Sequence, residues 1–352
     1  MTYEIGQVFP RESKILAEMD ALLQREGIRV DKQLDYRCAM FDENGAVIAT
    51  GSCFGNTLRC LAVSRDHQGE QLINQIVTHL INVELARGNA HLFLYTKCCS
   101  AKFFADLGFR EIVRVRDQIV FMENQRDGFT RYLAKLGAAK IPCVLPSKPK
   151  IAAMVMNANP FTRGHQFLVE KAARENDLVH LFVLSDESSL FPPDVRKSLV
   201  AQGVAHLPNV ILHDTENYLI SQATFPSYFQ RDDDAVIESQ IQLDLRLFAQ
   251  IAAALGITRR YVGDEPFSHV TRLYNQAMAK LLPEFGVQCE IVPRCEINGA
   301  AISASNVRQA IRQNDWQTIE KSVPPTTLAF LQSDKAKPII EKIRAAENVV
   351  HY

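Results

Sequence analysis

The sequence lacks a charge excess of either sign, because its 352 residues carry 39 lysines and arginines against 40 aspartates and glutamates. Binding to nucleic acid or to an anionic membrane surface depends on a strong basic excess, so neither partner is expected. No stretch approaches the roughly 20 consecutive apolar residues that span a bilayer. The first seven residues also lack the basic start and apolar run of a secretory signal. These absences favour a cytoplasmic protein.

The eight cysteines include no Cys-x-x-Cys pair. Structural zinc sites usually need such closely spaced ligands, so no metal-ligating residues are expected. Cys98 and Cys99 are adjacent and cannot form an ordinary structural disulfide with each other. Reduced thiols in a cytoplasmic protein are therefore expected. With a hydrophobic fraction of 47%, the chain can bury a core without disulfides or metals.

The length of the chain predicts two domains, and the composition indicates where they divide. Residues 138–150 contain three prolines and three lysines without any hydrophobic period. Such a segment is typical of an extended linker. We therefore predict domains at residues 1–137 and 151–352, joined by a linker at 138–150.

The segment before the linker predicts an α+β domain. Residues with strand propensity occur in short segments, and apolar residues at helical spacing form a longer one that Gly88 ends. The predicted strands cover residues 37–41, 46–50, 57–63 and 91–96, and the predicted helices cover residues 69–87 and 100–109. With the strand ending at Val63 and the segment 104–109, this pattern resembles the GNAT acetyltransferase superfamily over most of residues 1–130.

In that superfamily, a glycine-rich turn lets backbone N–H groups meet the pyrophosphate of coenzyme A. The corresponding turn here begins at Gln68 and departs from the pattern, because Gln71 and Ile73 replace both motif glycines and Glu70 adds negative charge. Two interpretations stay open: an enzyme that uses acetyl-CoA, or a GNAT-like fold kept for docking or structure. The lost glycines favour the second, a degenerate domain. Residues 1–140 are expected to fold as a fragment.

The segment after the linker alternates between predicted strands and helices. The predicted strands cover residues 151–156, 178–184, 210–212, 260–263 and 287–292, and the predicted helices cover residues 164–175, 193–206, 234–255, 270–282 and 305–312. Repeated β–α units imply a Rossmann-like parallel sheet with helices on both faces. The whole chain is therefore predicted to be α/β, with an α+β domain followed by an α/β/α domain.

A first motif, Asn-Pro-Phe-Thr-Arg-Gly-His, follows the predicted buried strand 151–156 and opens a helix. The start of a helix offers unpaired N–H groups and a partial positive charge, which suit a phosphate. Gly164 allows the backbone to come close to a ligand, His165 can donate a hydrogen bond to a phosphate oxygen, and Thr162 can add a hydroxyl. The alternative is that Thr162 only caps the helix and His165 is an ordinary residue of its first turn.

A second motif opens the helix after the last predicted strand. Ser303 and Ser305 can cap that helix or donate to phosphates, and Arg308 can contact two phosphate oxygens through its planar guanidinium. The alternative is an ordinary capped helix. Without ATP, Arg308 is expected to be exposed and to contribute little to folding. The positions of the two motifs, after the first and last strands, favour a phosphate site.

Together the motifs resemble the nucleotidyltransferase superfamily marked by H/T-x-G-H and I-S-S-T-x-V/I-R, although Ala304 and Ser305 depart from the second pattern. The resemblance assigns catalysis to Thr162, His165 and Arg308, which would hold the phosphates of ATP without a covalent enzyme intermediate. Further nucleotide contacts are expected from residues of both motifs and of one strand end: Asn157, Asn159, Pro160, Phe161, Gly164, Gly263, Asp264, Ser303, Ser305 and Val307.

Two further segments are expected near this site. Residues 261–268 end a strand with Gly263, Asp264 and Glu265, which suit an adenosine ribose or magnesium or form an ordinary turn. Residues 217–229 are too long and aromatic for a simple loop, which favours a lid over a substrate or partner. For the individual aromatic residues of this loop, structural packing is the favoured role.

A GNAT-like domain, this loop and an adenylyltransferase-like domain in one chain resemble the citrate lyase ligase family over nearly the whole sequence. The resemblance implies ATP as substrate with Mg²⁺ and no tightly bound prosthetic group. It also implies acetate as substrate and the acyl-carrier subunit of citrate lyase, with its prosthetic-group thiol, as partner. Two alternatives stay open: a small-molecule adenylyltransferase of the pantetheine-phosphate or nicotinamide-mononucleotide type, and an N-acetyltransferase with a nucleotide-sensing domain.

Overall fold

A computed structural model of the chain describes residues 3–31, 34–67, 71–141, 143–185, 189–219, 233–264, 269–294, 296–297 and 300–346. The chain divides into two compact units. The first unit is Met1–Arg131 with Phe225–Arg246, and the second unit is Tyr132–Thr224 with Leu247–Tyr352. The first unit therefore includes a segment from far along the chain. The expectation that residues 1–140 fold alone does not agree with this division.

The first unit is built on one mixed sheet. Its elements are β1 (Ile5–Gln7), α1 (Ser13–Arg25), β2 (Tyr36–Phe41), β3 (Val47–Phe54), β4 (Thr57–Val63), α2 (Leu72–Ala86), β5 (Phe93–Lys97), α3 (Ala101–Asp106), β6 (Arg110–Val115) and β7 (Ile119–Glu123). Among the described residues the strands lie in the order β1-β2-β3-β4-β5-β7-β6. β4 and β5 are parallel, and each other neighbouring pair is antiparallel.

A close contact between helix and sheet fixes one face of this unit. α2 lies so near β3 that a Cβ on Gly51 would come within 2.5 Å of the Ile76 side chain and 2.9 Å of Leu80. Ile76 and Leu80 are fully buried in the core. Glycine is therefore required at position 51 by space and not by backbone conformation. The sequence predicts both the helix and the strand of this contact, although β3 extends four residues further than expected.

β4 and β5 diverge after a short parallel pairing. Thr57 pairs with Phe93 and Leu58 with Leu94, and beyond these pairs a cleft of about 610 Å³ opens beside the start of α2. Residues 68–70 of the turn that departs from the GNAT pattern lie outside the described residues, whereas Ile73 lies in the first turn of α2. Gln71 follows that turn with a left-handed backbone, φ 58°, and its side chain makes no capping hydrogen bond to α2.

The second unit contains a parallel sheet with helices around it. Its elements after α4 (Gly128–Gly137), which begins in the first unit, are β8 (Ile151–Met156), α5 (Arg163–Glu175), β9 (Leu178–Val183), α6 (Pro193–Val204), β10 (Val210–Asp214), α7 (Asp233–Leu255, which belongs to the first unit up to Arg246), β11 (Arg259–Gly263), α8 (His269–Leu281), β12 (Gln288–Val292), β13 (Glu296–Ile297), β14 (Ala300–Ala301), α9 (Ala304–Gln313), α10 (Trp316–Ser322), α11 (Pro325–Leu331) and α12 (Lys337–Ala345). β8 to β12 form a sheet in the order β10-β9-β8-β11-β12, and all its pairs are parallel.

This architecture confirms the predicted fold class, an α+β sheet followed by a parallel α/β sheet. Each of the ten elements predicted after the linker is present, with ends that differ by one or two residues at most positions. α1, β6, β7, α4 and the last three helices were not predicted. In the segment 217–229, Tyr218 and Leu219 are buried, and residues 220–229 lie outside the described residues. Within the described part of the chain, no helix combines the length and apolarity needed to cross a membrane.

Candidate functional site

The second unit brings both predicted motifs to one edge of its sheet. β8 and β11 are neighbours, and the chain order reverses between them, since β9 and β10 lie on one side and β12 on the other. In open parallel sheets, such a reversal leaves a crevice at the carboxyl ends of the strands, where ligands bind. The first motif follows β8 directly, and Asp264 follows β11. The fold therefore brings the motifs to the edge of the sheet at which such crevices form.

The start of α5 is closed by a reciprocal pair of hydrogen bonds between Thr162 and His165. The Thr162 hydroxyl accepts a bond from the backbone N–H of His165 at 3.3 Å. The Nδ1 atom of His165 in turn accepts a bond from the backbone N–H of Thr162 at 3.1 Å. This arrangement is a capping box in which histidine takes the place of glutamate. Thr162 thus does cap the helix, and the same contact fixes the His165 ring.

The hydrogen bond at Nδ1 also determines where the His165 proton lies. Because Nδ1 accepts from a backbone N–H, the neutral ring carries its proton on Nε2, which is left as a donor. Burial and the charges of Arg294 and Arg308 lower the pKa of His165 to about 4. The ring stacks on Phe161, with centroids 5.9 Å apart and planes at 14°. At neutral pH, His165 is therefore a fixed, uncharged hydrogen-bond donor.

Three predicted nucleotide contacts in the loop after β8 turn their side chains into the protein instead. Asn157 Oδ1 accepts from Arg196 at 2.5 Å, and Asn159 Oδ1 accepts from the backbone N–H of Phe191 at 3.1 Å. Phe161 is fully buried in the core. These side chains hold the loop in place through contacts within the protein.

Arg196 is a support of this loop that the sequence analysis missed. It is fully buried and also donates to the carbonyl oxygens of Phe191 at 3.0 Å and Asn157 at 2.7 Å. Its position carries a signal, because Arg196 shares the buried face of α6 with Leu199, Val200 and Gly203. Burying a charged side chain costs free energy unless the side chain is hydrogen-bonded. A charged residue on the apolar face of a helix therefore predicts a buried, hydrogen-bonded arginine with a structural role.

The structure contradicts the expectation of an exposed Arg308. The residue is 2% exposed, and its Nη1 donates to the carbonyl oxygen of Asn159 at 2.5 Å, while Nη2 donates to the Ser305 hydroxyl at 3.2 Å. Burial lowers its pKa to about 10. Arg308 therefore joins the second motif to the loop of the first. Its neighbour Val307 is fully buried, so the side chain of Val307 packs α9 against the core.

The two motifs also meet through their backbones. A Cβ on Gly164 would come within 3.3 Å of the carbonyl oxygen of Ile302, so glycine permits the close approach of α5 to the segment before α9. Ser303 caps α9 by accepting from the N–H of Asn306 at 3.0 Å. The structure thus brings together the starts of two helices, each of which carries a partial positive charge.

The ends of β11 and β12 close the other side of the crevice. Asp264 donates its backbone N–H to Val292 at 2.8 Å, and its carbonyl oxygen accepts from Arg294 Nε at 2.8 Å. The carbonyl oxygen of Gly263 accepts from Asn275 of α8 at 3.0 Å. Asn275 and Arg294 were not predicted to belong to the site. The position of Arg294 could have been predicted from the sequence, because this residue follows the last parallel strand by two residues and so lies at the edge of the sheet where ligands bind.

The described residues offer one carboxylate for a magnesium ion at this edge. The Asp264 side chain is exposed, whereas Glu265, the second carboxylate expected there, lies outside the described residues. Mg²⁺ in nucleotide sites usually keeps several waters and is held by one or two carboxylates together with substrate phosphates. Asp264 fits that requirement. No group of three or more metal-ligating side chains occurs among the residues that the structure describes.

The chain has close sequence relatives. A family model described as the citrate lyase ligase C-terminal domain matches residues 151–331. The citrate (pro-3S)-lyase ligase of Klebsiella pneumoniae is 42% identical over 290 residues, covering 81% of this chain and 83% of that protein. The protein of the same name from Escherichia coli K12 is 37% identical over 329 residues, covering 92% of each.

Solved structures match the N-terminal part of the chain. The GNAT family N-acetyltransferase YhbS of Escherichia coli is 17% identical, with a TM-score of 0.28, and covers 36% of this chain and 83% of that one. Escherichia coli ElaA is 11% identical, with a TM-score of 0.31, and covers 35% of this chain and 100% of that one. The family relationship therefore rests on the sequence relatives.

Proposed function

The chain belongs to the citrate lyase ligase family, and from this premise we propose that it uses ATP to acetylate the prosthetic-group thiol on the acyl-carrier subunit of citrate lyase. Acetate is the acetyl donor, and AMP and pyrophosphate are the products. In this proposal the acetylated carrier makes the lyase active. The activity is cytoplasmic, where ATP is available.

One observation in the second unit carries the chemical part of this proposal. A neutral His165, fixed by Thr162, donates from Nε2 beside the buried Arg308, where two helix starts meet. Donors that are fixed before the substrate arrives stabilise developing charge without a cost of reorganisation. Such fixed donors suit a direct displacement at phosphorus.

The first step joins acetate to the α-phosphorus of ATP. An acetate oxygen forms a bond to this phosphorus while the bond to the oxygen that bridges to the β-phosphorus breaks, and its electron pair leaves with pyrophosphate. Acetyl-adenylate is the product. Acetate is ionised at neutral pH, so the step needs no general base. The second step transfers the acetyl group to the carrier thiolate, and AMP leaves with the electron pair of the broken C–O bond.

In the first step, charge grows on the phosphate oxygens and on the departing pyrophosphate. We assign the Nε2–H group of His165 and the hydroxyl of Thr162 to the phosphate oxygens, and Arg308 to the negative charge of the leaving group. Gly164 and Ser303, with the N–H groups of their helix starts, bind the phosphates. Asp264 would hold Mg²⁺, which, when bound, neutralises phosphate charge.

The direct test measures the mass of the citrate lyase acyl-carrier subunit before and after incubation with this protein, magnesium-ATP and acetate. We expect the carrier to gain one acetyl group and pyrophosphate to appear in proportion. Pyrophosphate release should require acetate and Mg²⁺. Formation of ADP and phosphate would contradict attack at the α-phosphorus.

Two matched reactions separate the alternatives. Replacing acetate and carrier by pantetheine phosphate or nicotinamide mononucleotide tests a small-molecule adenylyltransferase, which would release pyrophosphate without acetate. Replacing ATP and acetate by acetyl-CoA with an amine acceptor tests an N-acetyltransferase. We expect no turnover in either reaction.

A further inference from the structure

Asn275 of α8 is a buried amide whose hydrogen-bonding capacity the protein uses only in part. The residue is 5% exposed and shares the buried face of α8 with Met278, one turn further along. Its Nδ2 donates to the carbonyl oxygen of Gly263, the last residue of β11, at 3.0 Å. A polar group on the buried side of a helix costs free energy unless it is hydrogen-bonded. The bond to Gly263 satisfies the nitrogen of this amide and leaves its oxygen to be accounted for.

The bond to Gly263 also fixes which way the amide faces. A carbonyl oxygen only accepts hydrogen bonds, so the nitrogen of Asn275 is the atom turned toward Gly263 and Oδ1 is the atom turned away. Among the residues that the structure describes, none donates to Oδ1, and this atom is not sealed from solvent. Oδ1 is therefore a fixed hydrogen-bond acceptor beside the end of β11, at the edge of the sheet where both motifs lie.

The end of β11 leaves room for a ligand at the same residue. A Cβ on Gly263 would have no described atom closer than Leu168 of α5, at 4.0 Å, and the φ angle of Gly263 lies outside the left-handed region. Neither packing within the described protein nor backbone conformation therefore requires glycine there. Leu168 follows His165 by three residues, so the open space borders the face of α5 that carries the histidine. A glycine in such a place suits a ligand that comes close to the backbone.

We propose that Oδ1 of Asn275 accepts a hydrogen bond from a ribose hydroxyl of ATP, with the ribose lying over Gly263. The identity of the nucleotide rests on the proposed function. β11 pairs with β8, which leads into the start of α5 to which the phosphates are assigned, and neighbouring strands lie about 4.8 Å apart. In ATP the ribose is joined directly to the α-phosphate, whereas the base lies one ring further away. The ribose is thus the part that reaches β11, and its hydroxyls are the donors that Oδ1 requires.

The test measures the binding of magnesium-ATP, 2′-deoxyATP and 3′-deoxyATP by calorimetry, in the full-length wild type and in Asn275→Ala. We expect the wild type to bind one of the two deoxy analogues about 5- to 20-fold more weakly than ATP, because that analogue leaves the acceptor unpaired. In Asn275→Ala, the affinity for ATP should fall to that of the same analogue, so that the two differ by no more than about twofold. An Asn275 with only a structural role would instead lower the affinity for all three nucleotides alike.

Two further measurements separate the ribose from the base and the ligand from the fold. The triphosphate of purine riboside lacks the 6-amino group of adenine, and its affinity relative to ATP should be the same in the wild type and in Asn275→Ala. Gly263→Ala should weaken ATP binding without lowering the free energy of unfolding, because its methyl group enters open space. This variant keeps Asn275 and so tests the placement of the ribose even if Asn275→Ala does not fold. Unchanged ATP affinity in Gly263→Ala would contradict that placement.

Asn209→Ala is the matched control. Asn209 Nδ2 also donates to backbone carbonyl oxygens, those of Ala173 and Asn176 at 2.8 and 2.9 Å, but the residue precedes β10 and so lies at the amino end of the parallel strands. It should keep the wild-type preference for ATP.

Equal affinity of the wild type for ATP and both deoxy analogues would overturn the proposal. A preference that persists in Asn275→Ala, or one that follows the 6-amino group, would overturn it as well. Absence of ATP binding would refute the proposed function and this inference with it. Absence of acetate-dependent turnover, with the preference for ATP intact, would refute the proposed function alone, since these binding measurements need no acetate.

Discussion

The His165 ring is held through Nδ1, which leaves Nε2 on the other edge of the ring, and this is the main consequence of the structure for single residues. Thr162 N–H binds Nδ1, so only Nε2 can meet a substrate. The sequence analysis assigned donor roles to both residues and treated capping as the competing interpretation. For His165, capping and donation are compatible, because the cap uses Nδ1 and leaves Nε2 for a ligand, whereas the Thr162 hydroxyl is itself part of the cap.

Substitutions of His165 that differ in which nitrogen they imitate test this arrangement. Gln extends its amide to about the position of Nε2, whereas Asn reaches only that of Nδ1. We expect His165→Ala to lower kcat by about 10²–10³-fold, the usual scale for one transition-state donor, and His165→Gln to retain more activity than His165→Asn. Steady-state pyrophosphate release gives kcat and KM for each variant. If Asn were the better substitute, Nδ1 would be the working atom; an increase in KM alone would make His165 a ground-state binding residue.

Arg308 should matter for stability as well as for activity, contrary to the expectation from sequence. Arg308→Ala leaves the buried Asn159 carbonyl without this donor, and losing such a partner costs about 1–3 kcal/mol. We expect a lower free energy of unfolding even without ATP, and a smaller stabilisation by ATP. Arg308→Lys should have a lower turnover, because lysine keeps the charge but lacks the planar guanidinium that can contact two phosphate oxygens. Urea unfolding followed by fluorescence of Trp316, the single tryptophan, measures the second unit; an unchanged midpoint for Arg308→Ala would show that the bond to Asn159 is dispensable.

Residue types and order along the chain were sufficient to predict that both motifs open helices at one edge of the parallel sheet, because helix starts after parallel strands have one geometry. They were not sufficient to predict which side chains face inward. Asn157, Asn159 and Phe161 belong to the same loop as Thr162, yet their partners come from α6 and the segment before it, more than 30 residues away. Such partners depend on how α6 packs, which no local pattern in the loop specifies.

At the scale of elements, α6 supports the site through its packing on the loop after β8. The Phe161 ring lies against Gly203, and a Cβ there would overlap with the ring and come within 2.8 Å of a second ring carbon. Phe161 in turn stacks on His165. A helix that has no predicted site residue therefore determines where the histidine ring lies.

Gly203→Ala tests this support from outside the site. The added methyl has to displace Phe161, and overpacking of this kind costs about 1–3 kcal/mol, so we expect lower stability and reduced kcat with the motif residues unchanged. Gly137→Ala is the matched control, because this helical glycine has nothing within 4 Å of its added Cβ and alanine favours helix. Both variants are compared by urea unfolding and pyrophosphate release; wild-type activity in Gly203→Ala would show that Phe161 can move without His165.

β9 and β10 share a buried pair of histidines. His180 Nδ1 and His213 Nε2 are 2.8 Å apart, and the residues are 4% and 5% exposed. Burial lowers the pKa of each from 6.5 to about 4, with the neighbouring ring adding to the effect at His180. One ring donates and the other accepts, and burial favours the neutral form of both rings.

This pair makes the stability of the second unit depend on pH. As pH falls below 6.5, the unfolded histidines take up protons, while the folded ones stay neutral until about pH 4. The free energy of unfolding should therefore be highest above pH 6.5 and fall between pH 6.5 and 4, by at most about 1.4 kcal/mol per pH unit for each histidine. Replacing both by Gln should make this slope shallower, and replacing the exposed His206 by Gln should not. Identical slopes in Trp316-monitored unfolding would show that the pair does not control the response.

At the scale of the whole molecule, the chain passes from the first unit to the second, returns to the first at Phe225 and leaves it again after Arg246. The sequence predicts both sheets and the long helix α7. It does not predict that α7 is divided between the units, because the apolar face of a helix shows that it is buried without showing where. Ser239 on α7 donates to Gln118 at 2.7 Å, a partner more than 100 residues away.

A fragment of residues 1–140 should therefore fail to fold properly, since it lacks the returning segment. Ile241, Leu243 and Leu245 of α7 are buried, and the surface they cover would become exposed to water. We expect the fragment to bind a hydrophobic dye and aggregate, and a version with residues 225–246 attached through a flexible linker to be better ordered. Amide dispersion in NMR spectra compares the two; a well-dispersed spectrum for residues 1–140 alone would show that the returning segment is dispensable.

The division of α7 between the two units also limits how such a gene can be rearranged. A single crossover in the linker at residues 138–150 would exchange most of the first unit but leave Phe225–Arg246 behind with the other parent. The hybrid would combine the N-terminal sheet of one parent with the part of α7 that evolved to pack on the sheet of the other parent. Descendants of this architecture are therefore expected to inherit both units together, and shuffling would succeed only when residues 225–246 travel with the N-terminal part.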